Sequence, residues 1–329
     1  MKLRYWSLLI LFAASAAFAA EKKAPPAYTT PEQGGRDFQI QGEYECTING
    51  GKAGAQVLAL GDDKFHVVGF YGGLPGDGWD GSPKIELDGA MQDGKVVFTR
   101  GSESLTIADG KATLKLQDGS TAEMKRIVRK SPTEGLKAPE GAIVLFDGSN
   151  LDAFRPGAKM DDRKLLMSQS NPITRQEFKD FTLHIEFILP FMPEARGQGR
   201  ANSGVYLQGR YEIQVLDSFG LKGADNECGG IYQNAAPSIN MCYPPLQWQT
   251  YDVDFTAAKY DGDKKIANSV VTIKHNGVVI HDKLELKGPT PGGPKSDAKR
   301  YPESQPGPFY LQAHGNPVFY RNMWVVEKK

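Results

Sequence analysis

Three stretches of the chain place acid/base and amide side chains at every second position, the spacing that collects them on one side of a β-strand. In Phe181–Leu189, the residues Phe181, Leu183, Ile185, Phe187 and Leu189 form an apolar side, and His184 and Glu186 point the other way. In Tyr211–Leu216, Tyr211, Ile213 and Val215 alternate with Glu212 and Gln214. In Phe309–His314, Phe309, Leu311 and Ala313 alternate with Tyr310, Gln312 and His314. If these strands share one sheet, His184, Glu186, Glu212, Gln214, Gln312 and His314 gather on a single surface. Such a surface supplies carboxylates and imidazoles for proton transfer and amides for holding a polar substrate. A solvated outer sheet face would alternate in the same way. This one carries two Gln and two His, which favours a cleft.

The elements around these strands read as β structure. From Phe38 to Val128, short alternating segments are divided by Asp88-Gly89, Asp93-Gly94, Asp109-Gly110 and Asp118-Gly119, dipeptides that tolerate the positive φ of hairpin turns. The expectation is a small antiparallel β-meander domain over residues 37–130, with Tyr71–Asp80 as its surface loop. Ser131–Pro139, polar and with two prolines, is expected to be a linker. Residues 140–329 carry strands at Phe181–Leu189, Ser203–Gln208, Tyr211–Leu216, Trp248–Phe255, Ser269–His275, Val278–His281, Phe309–His314 and Asn322–Val326. No segment shows a helical period of ordinary length. The fold class is therefore all-β, the second domain being a two-sheet sandwich.

Ahead of both domains, Lys2 and Arg4 precede an apolar run from Leu8 to Phe18, and Ala17-Phe18-Ala19 supplies a small-x-small cleavage pattern. The run is shorter than the roughly 20 apolar residues that span a bilayer. Residues 1–19 are thus expected to be a signal peptide, and 20–36 a disordered lead-in rich in Pro, Thr, Gly and Ala. The location that follows is periplasmic or secreted. Without Lys2 and Arg4 the chain has 37 basic and 39 acidic side chains, a balance that asks for neither nucleic acid nor an anionic membrane. In an oxidising compartment, Cys228 and Cys242, close in sequence around a Gly-rich loop, are expected to form a disulfide. Cys46 is expected to be a buried free thiol. No phosphate loop, dinucleotide fingerprint or zinc pattern is present, and Tyr260-Asp-Gly-Asp263 lacks the further acidic ligands of a calcium loop. No metal or organic cofactor is expected.

Four segments carry a resemblance: Leu145–Asp152, Lys179–Phe187, Asn202–Asp217 and Gly307–Asn322. Together they resemble the 3-keto-disaccharide hydrolase family, over essentially all of residues 140–329. The resemblance implies a concanavalin A-like jelly roll with a sugar site on its concave face. Phe154 stands where the family usually has Trp, and Phe191–Ala201 and Tyr260–Asn268 look like insertions.

The segment Glu212-Ile-Gln-Val-Leu-Asp217 is also similar to the bulged catalytic strand of laminarinase-type glycosidases, which share the jelly roll. A bulge would return Asp217 to the side of Glu212 and Gln214, and two carboxylates could then flank a glycosidic bond. Gln214 stands where that motif has its central acid, which favours different chemistry. In a 3-keto sugar the ketone acidifies the C2 proton. A base can remove that proton and expel the C1 substituent, and water then adds back. The expected roles are Glu212 or His314 as base, Asp217 or Glu186 as acid, and Arg321 or Asn202 as donor to the enolate, with His184, Gln214 and Gln312 binding the sugar. An ordinary glucanase and a non-catalytic carbohydrate-binding module are the alternatives. The substrate would be a small oxidised sugar, made by a sugar 3-dehydrogenase acting beforehand.

Overall fold

The computed structural model describes residues 24–290 and 301–328. The expected signal peptide and the first residues of the lead-in lie outside them. From residue 24 onward the expectation of disorder is corrected. Tyr28 pairs with Phe191 in a β-bridge, and a helix, α1, runs from Pro31 to Ile40. Thr30 and Gln33 form a capping box, with Gln33 Oε1 accepting the Thr30 N–H at 3.3 Å, and Pro31 fits the first turn because it needs no donor there. The sequence Thr-Pro-Glu-Gln held this start signal within a composition typical of disorder.

Eight strands follow: β1 (Gly42–Ile48), β2 (Gly51–Ala59), β3 (Lys64–Tyr71), β4 (Ile85–Gln92), β5 (Lys95–Arg100), β6 (Glu103–Ala108), β7 (Lys111–Lys115) and β8 (Thr121–Ile127). The antiparallel meander is as expected, and it closes into a barrel. β1 pairs with both β2 and β8, Tyr44 lying opposite Arg126, so neither end strand keeps a free edge. α1 covers one end, where Ile40 packs with Tyr44, Phe65 and Phe98. Phe191, inside the first expected insertion of the sandwich domain, enters the same cluster and ties the two domains together. The Tyr71–Asp80 loop is not simply superficial: Leu74 is buried with Leu58, Phe70 and the sandwich residue Phe219.

The second domain contains β9 (Ile143–Phe146), β10 (Leu166–Met167), β11 (Phe181–Ile188), β12 (Ser203–Leu207), β13 (Tyr211–Val215), β14 (Trp248–Thr256), β15 (Lys259–Asp261), β16 (Lys264–Ala267), β17 (Ser269–His275), β18 (Val278–Leu286), β19 (Tyr310–Leu311) and β20 (Phe319–Glu327). A seven-stranded sheet has the order β10-β20-β11-β14-β17-β18, with β9 also on β20. A three-stranded sheet has the order β13-β12-β19. The core between them takes Leu183, Ile185 and Phe187 from the large sheet and Val205, Ile213 and Leu311 from the small one. The Tyr260–Asn268 insertion forms the separate hairpin β15–β16.

Cys228 and Cys242 are free and fully buried, so the expected disulfide is not formed. The loop between them is held by hydrogen bonds instead. The Cys228 N–H donates to Ser218 Oγ at 2.9 Å, and Asn240 Nδ2 donates to the Ser218 carbonyl at 2.7 Å. Cys46, expected to be buried, is free but only half-buried.

Candidate active site

The small sheet has two faces of opposite chemistry. β12 and β13 are joined through Gln208, Gly209 and Arg210, the first two at positive φ, which makes a tight hairpin and fixes the register. In that register Tyr206 lies opposite Glu212, and Gly204 opposite Gln214. Val205, Leu207, Ile213 and Val215 fill the core. The alternate residues Gly204, Tyr206, Glu212 and Gln214, with Gln312 just after β19, face away from it. Gln198, Asn202, Tyr232 and His314 complete a polar cavity of about 140 Å³ over this face.

Glu212 is the one carboxylate lining that cavity among the described residues. Burial pushes its pKa up to about 7, against the smaller lowering effect of the Tyr206 hydroxyl, which donates to Oε2 at 2.8 Å. Gln312 Nε2 in turn donates to the Tyr206 oxygen at 3.3 Å. A Glu held near neutrality and tied to one phenol can accept and return a proton at ordinary pH.

The remaining amides brace one another. Asn202 Nδ2 donates to the Gln198 carbonyl (2.8 Å) and to Gln198 Oε1 (3.1 Å), which also accepts from Gln214 Nε2 at 2.9 Å. Gln198 Nε2 donates to the Asn226 carbonyl at 2.8 Å. Asn202 Oδ1 is buried with no partner among the described residues, an acceptor able to take a substrate hydroxyl. Asn202 was expected to donate to an enolate; its N–H groups are already engaged, and it offers an acceptor instead.

The structure thus unites Glu212, Gln214, Gln312, His314 and Asn202, and leaves the other expected residues elsewhere. His184 and Glu186 lie on β11 in the large sheet, on the face away from the core. There the segment Ser131–Leu136, expected to be a plain linker, is strapped across them. Glu186 accepts from the Gly135 N–H, from Asn322 Nδ2 at 2.8 Å and from Arg321 Nε at 2.6 Å. Burial favours the neutral acid, yet hydrogen bonds from His184, Asn322, Gly135 and Arg321 together hold its pKa down to about 2. His184 bonds Asp252 at 2.6 Å; burial opposes its charge, but the Asp252 and Glu186 contacts prevail and raise its pKa. Strand parity was correct along Phe181–Ile188 and Tyr211–Val215, while the expected strand Phe309–His314 is one only at Tyr310–Leu311; parity, moreover, does not say which sheet a strand joins. The single six-residue surface is therefore corrected to two surfaces on opposite sides of the sandwich.

Asp217 does not return to the Glu212 face. It is buried in an ion pair with Arg200, Nε to Oδ2 at 2.6 Å, beyond the end of β13. Three lining residues were missed. Tyr206 could have been found, since it alternates with Val205 and Leu207 as Glu212 does with its neighbours. Gln198 and Tyr232 come from loops, where no periodicity marks the side a residue will face.

Among curated proteins no relative matches the chain. Among solved structures, a candidate glycosyl hydrolase of Parabacteroides distasonis is 32% identical, with a TM-score of 0.51 over 58% of this chain and 85% of that one. A second candidate glycosyl hydrolase of the same organism is 16% identical over 61% of this chain and 99% of its own, with a TM-score of 0.40. Residues 141–326, the whole sandwich with its polar cavity, match the 3-keto-alpha-glucoside-1,2-lyase-like domain, and the chain belongs to that family.

Proposed function

We propose that the protein cleaves the glycosidic bond of 3-keto-glycosides by elimination across C1 and C2. The observation that carries this reading is that, among the described residues, Glu212 is the one carboxylate in the cavity, with its pKa at about 7. Retaining and inverting glycosidases need two carboxyl groups flanking the bond. A 3-keto sugar needs one base. Glu212 takes the C2 proton, the C–H electron pair becomes the enolate, and its collapse forms the C1–C2 double bond as the C1–O bond breaks. The leaving oxygen takes a proton from His314, which stands at the open side of the cavity. Gln312, whose amide nitrogen has a second N–H besides the one given to Tyr206, faces the developing oxyanion. Addition of water across the double bond completes a net hydrolysis.

The glucanase alternative loses its support with Asp217 held by Arg200. The test is product release from matched 3-keto and unoxidised glucosides by the protein and its Glu212→Gln variant. Turnover of the keto substrate alone, lost in the variant, supports elimination. Turnover of the unoxidised glucoside, or an undiminished variant, refutes it. We further infer export through the N-terminal leader, with C3 oxidation of the sugar as the preceding reaction.

A further inference from the structure

The barrel is filled at one end and hollow at the other. At the α1 end its interior is occupied by Tyr44, Phe65 and Phe98. At the far end the inward positions of β2 and β3 are Ala53, Ala55 and Gly69, with Ala55 and Gly69 directly paired. An eight-stranded barrel has just enough interior for its own side chains or for one small ligand, and small residues at adjacent inward positions leave the second option open. The result is an apolar pit of about 110 Å³, walled further by Leu105, Leu114 and Met124. It opens beside a polar vestibule of about 660 Å³ that Asn49, Lys52, Gln117 and Asp118 help to line. Apolar cavities near this size stay dry and accept molecules such as benzene.

The mouth also indicates the ligand's charge. Arg100 bonds Glu103 through Nε at 2.9 Å and a terminal nitrogen at 2.6 Å, and Lys52 pairs with Asp77 at 3.2 Å. Both cations are neutralised from within, so the rim offers hydrogen-bonding groups rather than an anion trap. We propose that the barrel binds a neutral amphiphile, with an apolar group the size of one ring in the pit and a hydroxyl-bearing part in the vestibule. The site stands apart from the sandwich cavity and does not depend on the reaction proposed there.

The experiment is calorimetric titration of the full-length protein with p-cresol, benzoate and the filled-pit variant Gly69→Leu. Gly69 does not have a positive φ, and a Cβ there meets Ile85 only at an ordinary 3.5 Å, so a side chain can enter without backbone strain. Saturable one-to-one binding of p-cresol is expected, weakened at least tenfold in Gly69→Leu, with benzoate the poorer ligand and turnover retained. Ala55→Ile fills the same space from the neighbouring strand should Gly69→Leu fold badly. Methyl NMR of the unmodified protein supplies a measurement independent of variants, with shifts expected at Leu105, Leu114 and Met124. Equal p-cresol affinity in a folded filled variant, tighter binding of benzoate, or shifts confined to the sandwich would overturn the proposal.

Discussion

Gly204 and Glu212 share space: a side chain begun at Gly204 would overlap Oε1 of the Glu212 carboxylate on the adjacent strand. Gly204 does not have a positive φ, so the glycine serves close approach rather than a turn. Its missing Cβ is what lets the carboxylate lie along the cavity floor. Gly204→Ala should displace that carboxylate while leaving the strand intact. Misplacing a catalytic group by about 1 Å can cost on the order of a hundredfold. Turnover is expected to fall by roughly that factor, with circular dichroism unchanged.

Glu212→Gln removes the proposed base and keeps the shape. Loss of a general base costs on the order of 10²–10⁴ in rate. Glu212 also links stability to pH, because its folded pKa of about 7 lies above its ordinary 4.5. Between these values the folded state holds a proton that the unfolded state has released, so stability falls as pH rises. The effect is on the order of 3 kcal/mol. Chemical denaturation from pH 4 to 8 should show this decline in the native protein and its absence in the Gln variant.

Tyr206→Phe removes the hydroxyl that favours the charged form of Glu212. The Glu212 pKa should rise further, by roughly one to two units for a hydrogen bond to a charged group. Since the base works ionised, the acid limb of the kcat/KM profile should move to higher pH. A profile that stays in place would separate Tyr206 from Glu212.

Glu186 should matter for stability and not for chemistry. Its folded pKa of about 2 lies below the ordinary 4.5, so its contribution is present above pH 4.5 and lost as pH falls toward 2. That contribution is on the order of 3 kcal/mol. Glu186→Gln is expected to lower the melting temperature at pH 7 and to flatten the loss of stability in acid. Its kcat on the keto substrate should stay within about twofold, since a substitution this remote from the cavity leaves the reacting groups in place.

Asp217→Asn distinguishes a structural acid from a catalytic one. It strands the Arg200 guanidinium in the protein interior, where loss of one partner of a buried pair costs about 3–5 kcal/mol. A much reduced melting temperature with near-normal turnover in the folded fraction is expected. Selective loss of kcat at full stability would restore the two-carboxylate mechanism.

The sequence by itself determined the local geometry. Asp93-Gly94, Asp109-Gly110 and Asp118-Gly119 marked barrel turns, whereas Asp88-Gly89, read the same way, lies inside β4; alternation told which residues of Phe181–Leu189 and Tyr211–Leu216 face the core, because a strand turns its side chains with a strict period of two. It also placed Glu212 and Gln214 on the side of β13 that became the cavity, which Gln312 joins from just beyond β19. Tertiary structure decided the company they keep. Sheet membership depends on pairing between segments far apart in sequence, and periodicity within a segment carries no record of it. Thus His184 and Glu186 joined β14 and β20 under the linker strap, while Glu212 joined Tyr206. That Glu212 is the one carboxylate in the cavity among the described residues follows from the same assembly: Asp217 is held by Arg200, 17 residues before it.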